Sequence, residues 1–105
     1  MIIEKTKLEG VLQIRLKTFE DHRGYYIETY NEDLYKKNGI DVKFVQDDIS
    51  VSSNNVLRGI HGDHETWKLI SCLEGKFYLV VVNNDENSPQ YKQWESFILS
   101  EQNRI

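Results

Sequence analysis

A single cysteine, Cys72, leaves no partner for an internal disulfide, so no covalent cross-link holds this chain. It lies in an apolar, strand-like run and reads as a buried thiol, and such cysteine usage fits a cytoplasmic protein. Long hydrophobic runs are missing as well. The longest purely apolar stretch, residues 79–82, is far short of the roughly 20 residues of a spanning helix and offers no signal-peptide core, so no membrane association is expected. Nor is there an excess of basic charge: 13 Lys and Arg stand against 17 Asp and Glu, a net charge of -4, which removes the footprint of a nucleic-acid binder. An anionic ligand would have to be held by local Arg and Lys against that field. Low complexity and internal repeats are absent. What remains is 105 residues of ordinary globular composition, read as a single domain over 1–105.

The pattern along the chain is mostly β. Leu12, Ile14 and Leu16 alternate with Gln13 and Arg15, as in a half-buried strand. Residues 19–24 are polar and turn-like, and 25–30 are aromatic and β-branched. The one convincing helix covers 31–38: Asn31 as N-cap, Glu32 and Asp33 in the first turn, Lys36 and Lys37 in the last, Gly39 as the stop. Residues 44–53 and 56–61 read as strands divided by the turn pair Asn54-Asn55. Residues 67–73 and 76–83 flank Glu74-Gly75 as a hairpin, and 94–99 reads as a last strand. Seven short strands suggest a sandwich or barrel, but nothing in the chain closes the sheet. The expectation is part of a larger β fold, or a fold that needs a partner to cover its edge.

Chemistry concentrates in Val56-Leu57-Arg58-Gly59-Ile60-His61, followed by Lys68. A guanidinium, an imidazole and an ammonium in one stretch of β-type sequence are hard to explain by packing. Sharing a cavity, they would supply an anion clamp, a general base and an electrostatic stabiliser, a set suited to proton abstraction beside a carbonyl. Strict alternation puts Arg58 and His61 on opposite faces, so a bulge or bend at Gly59 is required. Lys68 either faces an apolar interior or snorkels at the strand mouth. A metal site from His61, His64 and Glu65 lacks a third histidine nearby. Asp21-His22-Arg23-Gly24 is either a solvated turn or a means for Arg23 to reach a phosphate. Asp47 and Asp48, beside Gln46, are either edge-strand gatekeepers or acceptors lining a cavity.

Four blocks in order resemble the amino-terminal part of the dTDP-4-dehydrorhamnose 3,5-epimerase family. They are Phe19-Glu20-Asp21-His22-Arg23-Gly24-Tyr25-Tyr26-Ile27-Glu28; Phe44-Val45-Gln46-Asp47-Asp48 running into Arg58-Gly59-Ile60-His61; Lys68-Leu69-Ile70 with Gly75; and Ser88-Pro89-Gln90-Tyr91 with Trp94, Leu99-Ser100 and Asn103. The resemblance implies an all-β, cupin-like jelly roll, present here as its amino-terminal portion. It implies inversion of carbons adjacent to the C4 ketone of a nucleotide-linked 4-keto-deoxy sugar, in deoxysugar and surface polysaccharide biosynthesis. His61 then looks like the catalytic base and Lys68 like the lysine that stabilises the enolate. Arg58 and Arg23 look like diphosphate and sugar contacts, Arg23 reaching across a homodimer. Phe19, Glu28 and Gln46 look like nucleotide or pocket contacts. No cofactor and no metal are implied. The general-acid tyrosine and the aspartate that orients the histidine fall in later strands, beyond Ile105. The short segment between His61 and Lys68 is closer to the branch acting on other nucleotide-linked 4-keto sugars. The alternatives are a 3,4-ketoisomerase on a similar sugar and a truncated, non-catalytic module that binds nucleotide sugars.

Overall fold

The computed structural model describes residues Met1–Ile105, and the chain divides into two units, Met1–Asn31 with Ile70–Ile105, and Glu32–Leu69. The first unit holds six strands in three two-stranded antiparallel sheets. β1 (Ile2–Lys5) pairs with β2 (Leu12–Arg15), β3 (Thr18–Asp21) with β4 (Gly24–Ile27), and β5 (Lys76–Val82) with β6 (Trp94–Ser100). The second unit holds α1 (Glu32–Lys37). The chain is thus mostly strand outside that helix, with no closed barrel, and no helix is long and apolar enough to cross a membrane.

Local chemistry explains the turns. The Thr6 hydroxyl donates to the carbonyls of Leu8 and Val11, at 3.1 and 2.9 Å, and tightens the β1–β2 connection around buried Leu8. Gln90 and Glu95 then grip that turn: the Lys7 amide donates to Glu95 Oε2 at 2.9 Å, the Glu9 amide to Gln90 Oε1 at 2.8 Å, and Gln90 Nε2 to the Lys7 carbonyl at 2.8 Å. The β3–β4 turn is only His22 and Arg23, closed by the pair Asp21↔Gly24. α1 ends as its sequence dictates, with the Gly39 amide bonded to the Lys36 carbonyl and a φ of 86° at Gly39. The Lys36–Glu32 pair, spaced for one helical face, reinforces it at 2.9 Å.

Several expectations need correction. Residues 44–53, 56–61 and 67–73 form no strands. Alternation and β-propensity fit a segment to a pleated surface, but a strand exists only where a partner supplies its ladder, and no ladder reaches these residues. The hairpin expected across Glu74-Gly75 is absent: β5 pairs with β6 instead, and Gly75 meets Glu101, whose amide donates to the Gly75 carbonyl at 3.1 Å and whose carboxylate accepts from the Gly75 amide at 2.8 Å. Phe19, expected in a polar turn, sits inside β3, and β1 had no counterpart in the pattern. Cys72 is only half-buried, its thiol donating to the Glu74 carbonyl at 3.2 Å.

Buried apolar side chains are few: Leu8 and Leu99 in the first unit, Tyr35 in the second. Many large apolar groups face water, among them Leu57 at 95% exposed, Ile60 at 91%, and both tryptophans, Trp67 and Trp94, at 64% and 63%. A surface this apolar is unusual for a monomer that covers itself. The 105-residue chain is therefore expected to bind a hydrophobic dye strongly and to self-associate as its concentration rises. Dye fluorescence at the level of a well-packed globular protein, with a monomer in sedimentation velocity, would contradict this. Gly39→Ala is expected to destabilise α1 by about 1–2 kcal/mol, because a Cβ is disfavoured in left-handed backbone. The space around it is open, so only backbone strain is tested. Gly62→Ala, where φ is not positive and space is equally open, serves as the neutral control in denaturant unfolding followed by circular dichroism.

Candidate functional site

The Glu32–Leu69 unit carries Gln46, Arg58, His61 and Lys68. The Asn54-Asn55 turn forms as the sequence suggests, with Asn55 at φ 61°. It folds the chain back so that Arg58 Nε donates to Ser52 Oγ at 2.8 Å and Arg58 Nη2 to the Val51 carbonyl at 3.1 Å. Both acceptors are neutral and Arg58 enters no ion pair, so its charge is uncompensated and suited to an anion. The bulge or bend expected at Gly59 has no strand to interrupt; the residue takes a φ of 119°, and the Gly59–Ile60 peptide is cis.

Beyond it, His61 and Lys68 are exposed and bracket a short loop organised by Asp63. Asp63 Oδ1 accepts the amides of Glu65 at 2.9 Å and Thr66 at 2.6 Å. The Asp63 carboxyl is held below the usual range, first by the Thr66 side chain, then by the Glu65 and Thr66 amides, with the charge of Lys68 adding. A carboxyl depressed on folding favours the folded loop above the ordinary aspartate range, and that contribution is lost as pH falls through its lowered value. Lys68 does not sit in an apolar interior; it shares open surface with Trp67 and Leu69. Gln46 Nε2 donates to Asp48 Oδ2 at 2.9 Å, so Asp48 serves the amide and guards no strand edge. His61, His64 and Glu65 are not gathered into a metal-ligand group.

The first unit carries Phe19, Arg23 and Glu28. Phe19 and Arg23 line a cavity of about 400 Å³ on the β3–β4 hairpin, together with Glu20, Asp21, Gly24, Tyr25 and Tyr26. Register explains its aromatic wall. Phe19 lies directly opposite Tyr26, and their rings stand 6.5 Å apart, tilted by 45°. Lys17 Nζ rests 4.8 Å from the Phe19 ring centre, and the Arg104 guanidinium lies 4.6 Å over Tyr25. Arg23 is paired with Asp21, and Glu28 lies just past β4, outside the cavity lining. The cavity offers aromatic faces to a flat ring and a guanidinium to an anion. Tyr25 and Tyr26 are lining residues that motif reading left out. The signal for Tyr26 was the two-residue turn, which sets it opposite Phe19.

Residues 5–105 match the profile of the dTDP-4-dehydrorhamnose 3,5-epimerase family. An enzyme of that name from Methanothermobacter thermautotrophicus is 40% identical over 102 residues, covering 95% of this chain and 55% of its own length. One from Salmonella typhimurium is 39% identical, covering 99% of this chain and 59% of itself. Among solved structures, the epimerase from Elizabethkingia anophelis superposes with a TM-score of 0.83 at 42% identity, over 99% of this chain and 59% of that one. The epimerase from Bacillus anthracis, solved with TDP and PPi bound, gives 0.90 at 31% identity, over 98% of this chain and 61% of that one. The chain therefore spans little more than half the length of these relatives, with their cupin-like fold represented in part. By sequence along nearly all of its residues and by backbone fold, this chain belongs to the dTDP-4-dehydrorhamnose 3,5-epimerase family.

Proposed function

We propose that this chain contributes the base and the anion-binding groups of a cytoplasmic, homodimeric nucleotide-sugar epimerase, residues 1–105 forming the amino-terminal part of one jelly-roll domain. The substrate is a nucleoside-diphosphate 4-keto-deoxy sugar, and the reaction inverts one or both carbons flanking its ketone, in deoxysugar and surface polysaccharide synthesis. The observation that carries this reading is the family match over residues 5–105, which includes Arg58, His61 and Lys68. The TDP bound in the Bacillus anthracis relative supports a nucleoside diphosphate as the ligand class.

In this mechanism the His61 imidazole removes the proton from the carbon next to the ketone. The bonding pair moves into the ring, and negative charge gathers on the ketone oxygen, where the Lys68 ammonium stabilises it. An acid on the opposite face then delivers a proton to the same carbon, and the ketone re-forms with that carbon inverted. One base cannot serve both faces, so a second group is required; family resemblance assigns it to a tyrosine beyond Ile105. Arg58 and Arg23 serve as diphosphate and sugar contacts, Arg23 reaching across the homodimer, with Phe19, Glu28 and Gln46 as contacts of the nucleotide or the pocket. The relatives described above carry the epimerase name, which favours inversion over carbonyl migration.

Deuterium uptake tests the base. Residues 1–105 are placed in the Methanothermobacter thermautotrophicus relative in exchange for the aligned segment, and a dTDP-linked 4-keto-6-deoxy sugar is incubated in heavy water. Carbons beside the ketone are expected to gain deuterium, His61→Asn to abolish the gain, and Lys68→Ala to slow it about 10²-fold. Uptake that survives loss of His61 would assign the base elsewhere. Arg58→Ala is expected to weaken dTDP binding to the same chimaera about tenfold or more, as for loss of a charge-assisted contact. Unchanged affinity in calorimetry would place the clamp on other residues.

A further inference from the structure

Arg23 is exposed, and Asp21 meets one edge of its guanidinium. Asp21 Oδ1 accepts both the backbone amide of Arg23, at 2.8 Å, and its side-chain Nε, at 3.2 Å. Asp21 Oδ2 accepts Nε at 3.1 Å and also the terminal Nη2. The carboxylate thus engages one edge of the guanidinium, the edge made by Nε and Nη2. Of the five N–H donors, those on Nη1 and the second on Nη2 remain free. These form the outer fork that matches two oxygens of a phosphate. The hairpin fixes the carboxylate in turn, because Asp21 closes the turn opposite Gly24 and both residues line the cavity with Arg23.

We propose that Asp21 is a positioning residue, which holds the Arg23 fork in place for an anionic phosphate group at the β3–β4 cavity. This rests on the nucleotide-sugar reading for the identity of the natural ligand, but the positioning itself is read without it. Ionic pairing supports the arrangement: the Asp21 carboxyl is held below the usual range, first by the Arg23 side chain and then by its amide. Asp21 is therefore ionised at neutral pH. A carboxylate beside an anion site also lowers the local positive charge. The gain comes from orientation, since a fork already fixed loses less rotamer freedom on binding.

The test uses the chimaera described above, with inorganic pyrophosphate and dTDP as separate probes in calorimetry and ¹⁵N NMR of the Arg23 Nε–H as a direct view of its restraint. In the wild type the Nε–H is expected to exchange slowly with solvent, and Asp21→Ala to abolish that protection. The same change is expected to weaken pyrophosphate binding about five- to tenfold. Asp21→Asn keeps an acceptor oxygen and a good turn residue, and is expected to restore most of the affinity. Arg23→Lys, which loses the fork, is expected to match Asp21→Ala. Pyrophosphate binding without dTDP binding would defeat the nucleotide reading and leave the positioning role standing. Unchanged or tighter pyrophosphate binding in Asp21→Ala would overturn it, identifying Asp21 as inert or as a competitor of the anion. Absence of pyrophosphate binding in the wild type would overturn it too.

Discussion

The grip of Gln90 and Glu95 on the turn that follows β1 ties the β1–β2 pair to the β5–β6 pair. Its three hydrogen bonds, of 2.8–2.9 Å, join residues 7–9 to residues 90–95, more than 80 positions away in sequence. Each of the three sheets is a local antiparallel pair, and a lone two-stranded sheet is marginal in water. The turn between β1 and β2 satisfies its backbone groups on those two side chains. Leu8 is buried within that turn, and the intervening loop keeps its shape through Asn83, Ser88 and Gln93. Orientation of the polar groups and burial of one leucine thus reinforce each other.

Features written in local chemistry were legible in the sequence. α1 has acids in its first turn, lysines in its last and glycine at its stop, and each sits as its charge or backbone freedom requires. Asn54-Asn55 turns, and the β6 run is a strand. Features that depend on a distant partner were not legible. Alternation over 44–53 and 56–61 describes which way side chains would point on a sheet, but carries no information about what would pair with it. The choice of β6 over residues 67–73 as partner of β5 is likewise a matter of long-range pairing, joined by Gly75 and Glu101 just past the ladder. The candidate site divides in the same way. The types Arg58, His61, Lys68 and Arg23 stood out because ions among β-prone residues are costly without a role. Tyr25, Tyr26 and the hold of Asp21 on Arg23 emerged only from hairpin register and side-chain geometry.

The two candidate guanidinium groups illustrate different solutions to one problem. Arg58 is tied to a hydroxyl and a carbonyl and keeps its whole charge. Arg23 shares its charge with a carboxylate and keeps its direction. In a chain with net charge -4, a local guanidinium is the means of holding an anion, and the two units present theirs with different partners.

The water-facing indoles of Trp67 and Trp94 give the molecule a built-in optical signal. Exposed in the folded chain, they are expected to emit near the wavelength of free tryptophan, so that unfolding alone moves their fluorescence little. Covering them with apolar surface shifts it to the blue. Trp67 adjoins Lys68 in one unit, and Trp94 opens β6 in the other, so the colour of the emission reports burial by whatever comes to rest on each unit.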